Sequence, residues 1–116
     1  MATDLTPAQA WKKVVEGNRR FAQGESVNPN RDPQHREVLA GGQNPFVTVL
    51  GCSDSRVPME VTFDAGLGDL FVVRNAGEVA GDSSVASLEY AVGPLDVPLI
   101  LILSHQSCGA VAAAIK

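Results

Sequence analysis

A chain of 116 residues with 45% hydrophobic content has the size of one domain and enough apolar material for a packed core, which excludes a disordered tail. Its net charge of −4 and the scatter of its nine Lys and Arg residues exclude the clustered positive surface that nucleic-acid binding requires. The longest apolar stretch, Val97 to Leu103, is far short of the ~20 residues of a membrane span, and Met1-Ala2-Thr3-Asp4 lacks the basic start and apolar run of a leader. The expectation is a soluble, cytoplasmic protein with neither a nucleic-acid nor a membrane partner.

The first predicted element is a helix. Thr6 is its N-cap, Pro7 its first residue, and Gln9 reaches back to the cap amide, so the helix runs from residue 7 to about residue 23 and stops at Gly24. Trp11, Val14, Val15 and Phe21 form its apolar stripe. A loop carrying Pro29 and Pro33 leads to a short helix over residues 34–40, ended by Gly41-Gly42. Phe46 to Leu50 is a β-rich run without strict alternation, as a parallel strand buried on both faces requires.

Leu70 to Val73 reads as a second buried strand. Ser83 or Ser84 caps a helix through Val92, with Val85, Leu88 and Val92 on one side, and Gly93-Pro94 breaks it. Val97 to Leu103 is a third strand, followed by an apolar helix from about Ala110. Strands separated by helices imply an α/β fold with a parallel sheet core and flanking helices. Ligand sites in such sheets lie at the carboxyl ends of the strands.

Both cysteines of the chain lie just past such ends, in Cys52-Ser53-Asp54-Ser55-Arg56 and in His105-Gln106-Ser107-Cys108-Gly109. A metal site is favoured over a disulfide or a buried free thiol, because cytosolic thiols are kept reduced and His105 stands three residues before Cys108. Cys52, His105 and Cys108 suit Zn2+, whose preferred ligands are thiolate and imidazole, and three protein ligands leave a fourth position for water or for Asp54. An open zinc position implies hydrolytic or hydration chemistry. No GxGxxG or Walker-type loop accompanies the strands, so nucleotide binding is not expected.

Four ordered motifs, CxDxR after the first strand, VVRNAG after the second, an EYAV helix, and HxxCG after the third, give the chain a specific resemblance to the β-class carbonic anhydrases. That resemblance implies one domain over residues 1–116, with a helical arm over about residues 5–40 and a zinc-binding α/β core over about residues 44–116. It implies Cys52, His105 and Cys108 as zinc ligands, and reversible hydration of carbon dioxide to bicarbonate by zinc-bound hydroxide. Asp54 has two mutually exclusive positions: paired with Arg56 while the zinc is open, or bound to the zinc in a closed state. In the family this dyad resembles a gate, and Arg56 is the clamp that holds the carboxylate off the metal.

The resemblance also implies that Gln43, nine residues before Cys52, donates an amide to substrate. Phe71 and Tyr90, which read on their own as core aromatics, become pocket residues of a neighbouring subunit, so a homodimer or larger oligomer is implied. Gly109 begins a helix whose amides suit bicarbonate. His35 has no assignable role as a proton shuttle. Val49 stands where some members carry the Trp of a noncatalytic bicarbonate site, so that site is not expected. Members of the family have at least one more parallel strand beside the third, so the fold is expected to be C-terminally incomplete, with an exposed edge on its third strand. Two other readings use the same metal: hydrolysis of carbonyl sulfide or carbon disulfide, and a noncatalytic zinc-stabilised module with Asp54 fixed in the fourth position. A thiol redox protein lacks its C-x-x-C.

Overall fold

The computed structural model describes residues 4–116, so Met1 to Thr3 of the leader reading lie outside the described residues. Its elements in chain order are α1 (Pro7–Ala22), α2 (Pro33–Leu39), β1 (Val47–Cys52), α3 (Met59–Thr62), β2 (Leu70–Asn75), α4 (Asp82–Val92), β3 (Ile100–Leu103) and α5 (Gly109–Ile115). The three strands pair in parallel in the order β2-β1-β3. No described helix is long and apolar enough to cross a membrane.

All six residues of β1 are buried, which is why its sequence does not alternate. Val47, Val49 and Leu50 are within 1% of full burial, and each such side chain contributes about 1.5–3 kcal/mol relative to an exposed one. β3 is a sheet edge, and its exposure does alternate: Ile100 and Ile102 face outward while Leu101 and Leu103 pack on the core. The strand is shorter than expected, since Val97 to Leu99 precede it.

The helix α1 begins as its sequence dictates, with Thr6 Oγ1 accepting from the Gln9 amide at 3.2 Å and Gln9 Oε1 accepting from the Thr6 amide at 2.9 Å. Its buried stripe is Ala10, Val14 and Gly17, not the expected Trp11 and Phe21, which are 50% and 41% exposed. The reason is close packing. A Cβ on Gly17 would run into the Phe63 carbonyl, so the helix approaches α3 along its small residues. The correction is similar in α4, whose buried residues are Ser84 and Ala91 while Val85 and Val92 are 40% and 39% exposed. Gly81 is its N-cap, and neither Ser83 nor Ser84 caps it; the Ser84 hydroxyl accepts from Asn75 instead.

Asp64, just after α3, ties the N-terminal arm to the core. Its buried carboxylate accepts from Arg20 Nε at 2.6 Å and from the amides of Val27 and Asn28 at 2.9 Å each. Burial by itself pushes this carboxyl up, but the two amides and the guanidinium more than reverse that and hold it at about 2.

Candidate metal centre

The β1 strand ends on Cys52, which is 3% exposed, and the parallel register sets it opposite Asn75 of β2. The partner motif comes from the loop after β3. Ser107 takes a left-handed φ of 55°, which turns the chain between His105 and Cys108, and Cys108 then serves as the N-cap of α5. The two sulfurs stand 3.9 Å apart. Two thiolates on one tetrahedral zinc, each at about 2.3 Å, stand about 3.8 Å apart. One ligand atom each from Cys52, His105 and Cys108 lies within 4.8 Å of the others.

The imidazole is set for metal. His105 Nδ1 lies 2.9 Å from the Gln106 carbonyl, so Nδ1–H donates there and Nε2 is left bare. Nε2 is buried without a hydrogen-bond partner among the described residues. A buried, unpartnered nitrogen beside two sulfurs is the observation that a divalent ion fits this trio. The neighbouring Cys52 sulfur and the Gln106 carbonyl raise the imidazole above its ordinary pKa.

The Cys52 thiol is lowered to about 7, first by the Gly77 amide, which donates to Sγ at 3.3 Å, and then by His105. That favours the thiolate, the ligand form of cysteine.

Asp54 and Arg56 form a bidentate pair beside the trio, with Arg56 Nε to Asp54 Oδ1 at 2.9 Å and Nη2 to Oδ2 at 2.7 Å. The Arg56 amide also donates to Oδ1 at 2.9 Å, and Nη2 reaches the Ser107 carbonyl at 3.1 Å, joining the two motifs. The Arg56 side chain, followed by its amide, holds the Asp54 carboxyl well below the usual carboxylate range. Asp54 Oδ2 lies 3.7 Å from His105 Nε2, too far for a hydrogen bond and close enough to address whatever the trio binds.

The other expected site residues lie elsewhere on the chain. Gln43 lines a cavity of about 420 Å3 with His35, Leu39 and Asp69, before the start of β1. The five steps from Val47 to Cys52 alone span about 17 Å, so Gln43 is at the far end of the strand from the sulfurs. Phe71 and Tyr90 meet each other with ring centroids 5.8 Å apart, Phe71 paired with Thr48 in the β1–β2 ladder. Gly109 is the first residue of α5, next to Cys108.

Arg74 is a site residue that sequence reasoning missed. Its Nε donates to the Cys52 carbonyl and its Nη2 to the Asp54 carbonyl, each at 2.9 Å, so it clamps the backbone on both sides of Ser53. The available signal was the pairing itself: two parallel strands ending together bring Arg-Asn-Ala-Gly beside Cys-Ser-Asp.

A family model described as carbonic anhydrase matches residues 47–116. Carbonic anhydrase 2 of Mycobacterium tuberculosis is 52% identical over 112 residues, which are 97% of this chain and 54% of that protein. Carbonic anhydrase of Mycolicibacterium smegmatis is 49% identical over 110 residues, 95% of this chain and 53% of that protein. Among solved structures, a tetrameric β-carbonic anhydrase from the filamentous ascomycete Sordaria macrospora superimposes with a TM-score of 0.68 at 32% identity, covering 91% of this chain and 54% of that one. The chain thus spans about half the length of the curated relatives it matches.

Proposed function

The chain belongs to the carbonic anhydrase family, and from that premise we propose that Cys52, His105 and Cys108 hold one Zn2+ at a site for the reversible hydration of carbon dioxide to bicarbonate. The observation that carries this reading is the buried Nε2 of His105, unpartnered among the described residues, beside two sulfurs at zinc-ligand spacing. Zinc in such a site supplies Lewis-acid activation of water at neutral pH.

The chain's own residues do the rest. Asp54, kept ionised by Arg56, accepts the hydrogen bond of a water held at the trio and orients it. The two guanidinium bonds and the Arg56 amide hold the carboxylate, which could otherwise ligate an ion held by the trio. With that clamp released, the same carboxylate would be free to turn onto the trio and close the site. Gln43, Phe71 and Tyr90 act on substrate at the metal of a second copy, since Gln43 lies too far from its own chain's trio to serve it. The assembly is therefore at least a homodimer, in keeping with the tetrameric relative.

The test is zinc stoichiometry together with stopped-flow hydration of carbon dioxide. Wild-type protein should bind one zinc per chain and turn over, and Cys52→Ser or His105→Ala should lose both. Zinc retained in both variants contradicts the ligand assignment. Zinc bound without hydration, and with turnover of carbonyl sulfide or carbon disulfide instead, contradicts the substrate.

A further inference from the structure

The Arg74 to Gly77 segment contributes nothing to the proposed reaction directly, yet one of its amides touches a proposed metal ligand. Ser53 N–H donates to the Asn75 carbonyl at 2.8 Å, carrying the β1–β2 ladder one step beyond Cys52. The chain then turns back, closed by the Glu78 amide on the Asn75 carbonyl at 3.4 Å. Gly77, third in that turn, has φ +85°, the value a type II turn demands at this position. The turn points the Gly77 N–H at Cys52 Sγ.

This loop does not hold its shape by itself. Glu78 follows with φ +44°, a conformation that costs a non-glycine residue about 1 kcal/mol or more. The Asn75 side chain holds it: Oδ1 accepts from the Val79 amide at 2.6 Å, while Nδ2 donates to the Val79 carbonyl at 2.8 Å and to Ser84 Oγ at 2.9 Å. Ser84 is buried on α4, so the bracket is anchored in a neighbouring helix.

We propose that Asn75 is a positioning residue that aims the Gly77 amide at the Cys52 sulfur and so limits how much charge that sulfur gives to the metal. The inference rests on the reading of Cys52 as a metal ligand. Two thiolates together neutralise a divalent ion and blunt its acidity. A hydrogen bond to one of them draws its lone pair back and leaves the ion more electrophilic, as partners beyond the ligands commonly do.

Cobalt reads this directly, because the energy of a sulfur-to-cobalt charge-transfer band follows the donor strength of the thiolates. In Co2+-loaded protein, Asn75→Ala should move the band to longer wavelength, and Ser84→Ala, which removes one anchor, should move it less in the same direction. A band unmoved in metal-loaded Asn75→Ala overturns the proposal. Should that variant not fold, Gly77→Ala gives the same reading, since a Cβ there meets only ordinary contacts at 3.8–3.9 Å while its φ is strained; an unmoved band then overturns the proposal equally. Absence of the band from wild-type protein overturns the ligand reading, and the proposal with it.

Discussion

The chemistry of the site turns on two acidic groups, Cys52 and Asp54, each held below its ordinary pKa by a different neighbour. For Cys52 the lowering to about 7 makes a definite prediction in metal-free, reduced protein: alkylation of the Cys52 peptide, followed by mass spectrometry, should reach half its maximal rate near pH 7 and shift upward in unfolded chain. A half-maximum near 9 in folded protein contradicts the combined lowering by the Gly77 amide and His105. For Asp54 the pairing with Arg56 keeps the carboxylate ionised throughout any assay range. Asp54→Asn should therefore lower hydration by about 100-fold or more with zinc still near one per chain. Arg56→Lys loses the fork that matches a carboxylate and should also lose activity while retaining zinc. Normal turnover in Asp54→Asn removes the gate from the account.

At the scale of elements, the best-read parts are those where local chemistry and burial agree. The Thr6-Pro7-Gln9 start of α1 and the nonalternating run of β1 were both legible, because capping and double-sided burial leave their mark in the residues themselves. The buried faces of α1 and α4 were not. Hydrophobicity points to Trp11, Phe21 and Val85, whereas helices that approach closely bury Ala10, Gly17, Ser84 and Ala91, whose small size carries little signal. The four-residue α3 is too short to show a period. Gly17→Ala should accordingly destabilise the fold by about 1–3 kcal/mol in denaturant unfolding, because its new Cβ meets backbone that cannot step aside. Asp64 makes a pH prediction of definite sign. Its folded pKa of about 2 lies below its value of 3.8 in the unfolded chain, so its contribution is fully present above about pH 4 and is lost as pH falls toward 2. Wild-type protein should thus exceed Asp64→Asn in stability at neutral pH, with the gap narrowing between pH 4 and 2. A gap that does not change with pH assigns the Asp64 contribution to packing.

For the whole molecule, the meeting of Cys52, His105 and Cys108 was legible because three strands delivering two short motifs to one end of a parallel sheet is a pattern of sequence order, and parallel order fixes which ends meet. The proposed substrate role of Gln43, Phe71 and Tyr90 comes from resemblance alone. Gln43, Phe71 and Tyr90 sit away from the trio on the same chain, and nothing in one chain's sequence encodes what a second copy brings. Mixing subunits tests that division of labour. Cys52→Ser and Gln43→Ala proteins should each be deficient alone, yet a statistical mixture should recover about a quarter of the wild-type sites, since in each mixed dimer one metal trio meets one intact glutamine. No recovery in dimers shown to have exchanged subunits contradicts action across the interface. The most direct test of the account as a whole is X-ray absorption at the zinc edge on the loaded chain. The expected shell is two sulfur ligands at about 2.3 Å and one imidazole nitrogen at about 2.0–2.1 Å, with one further light ligand. A zinc shell without two sulfurs, or one lacking the histidine, contradicts it.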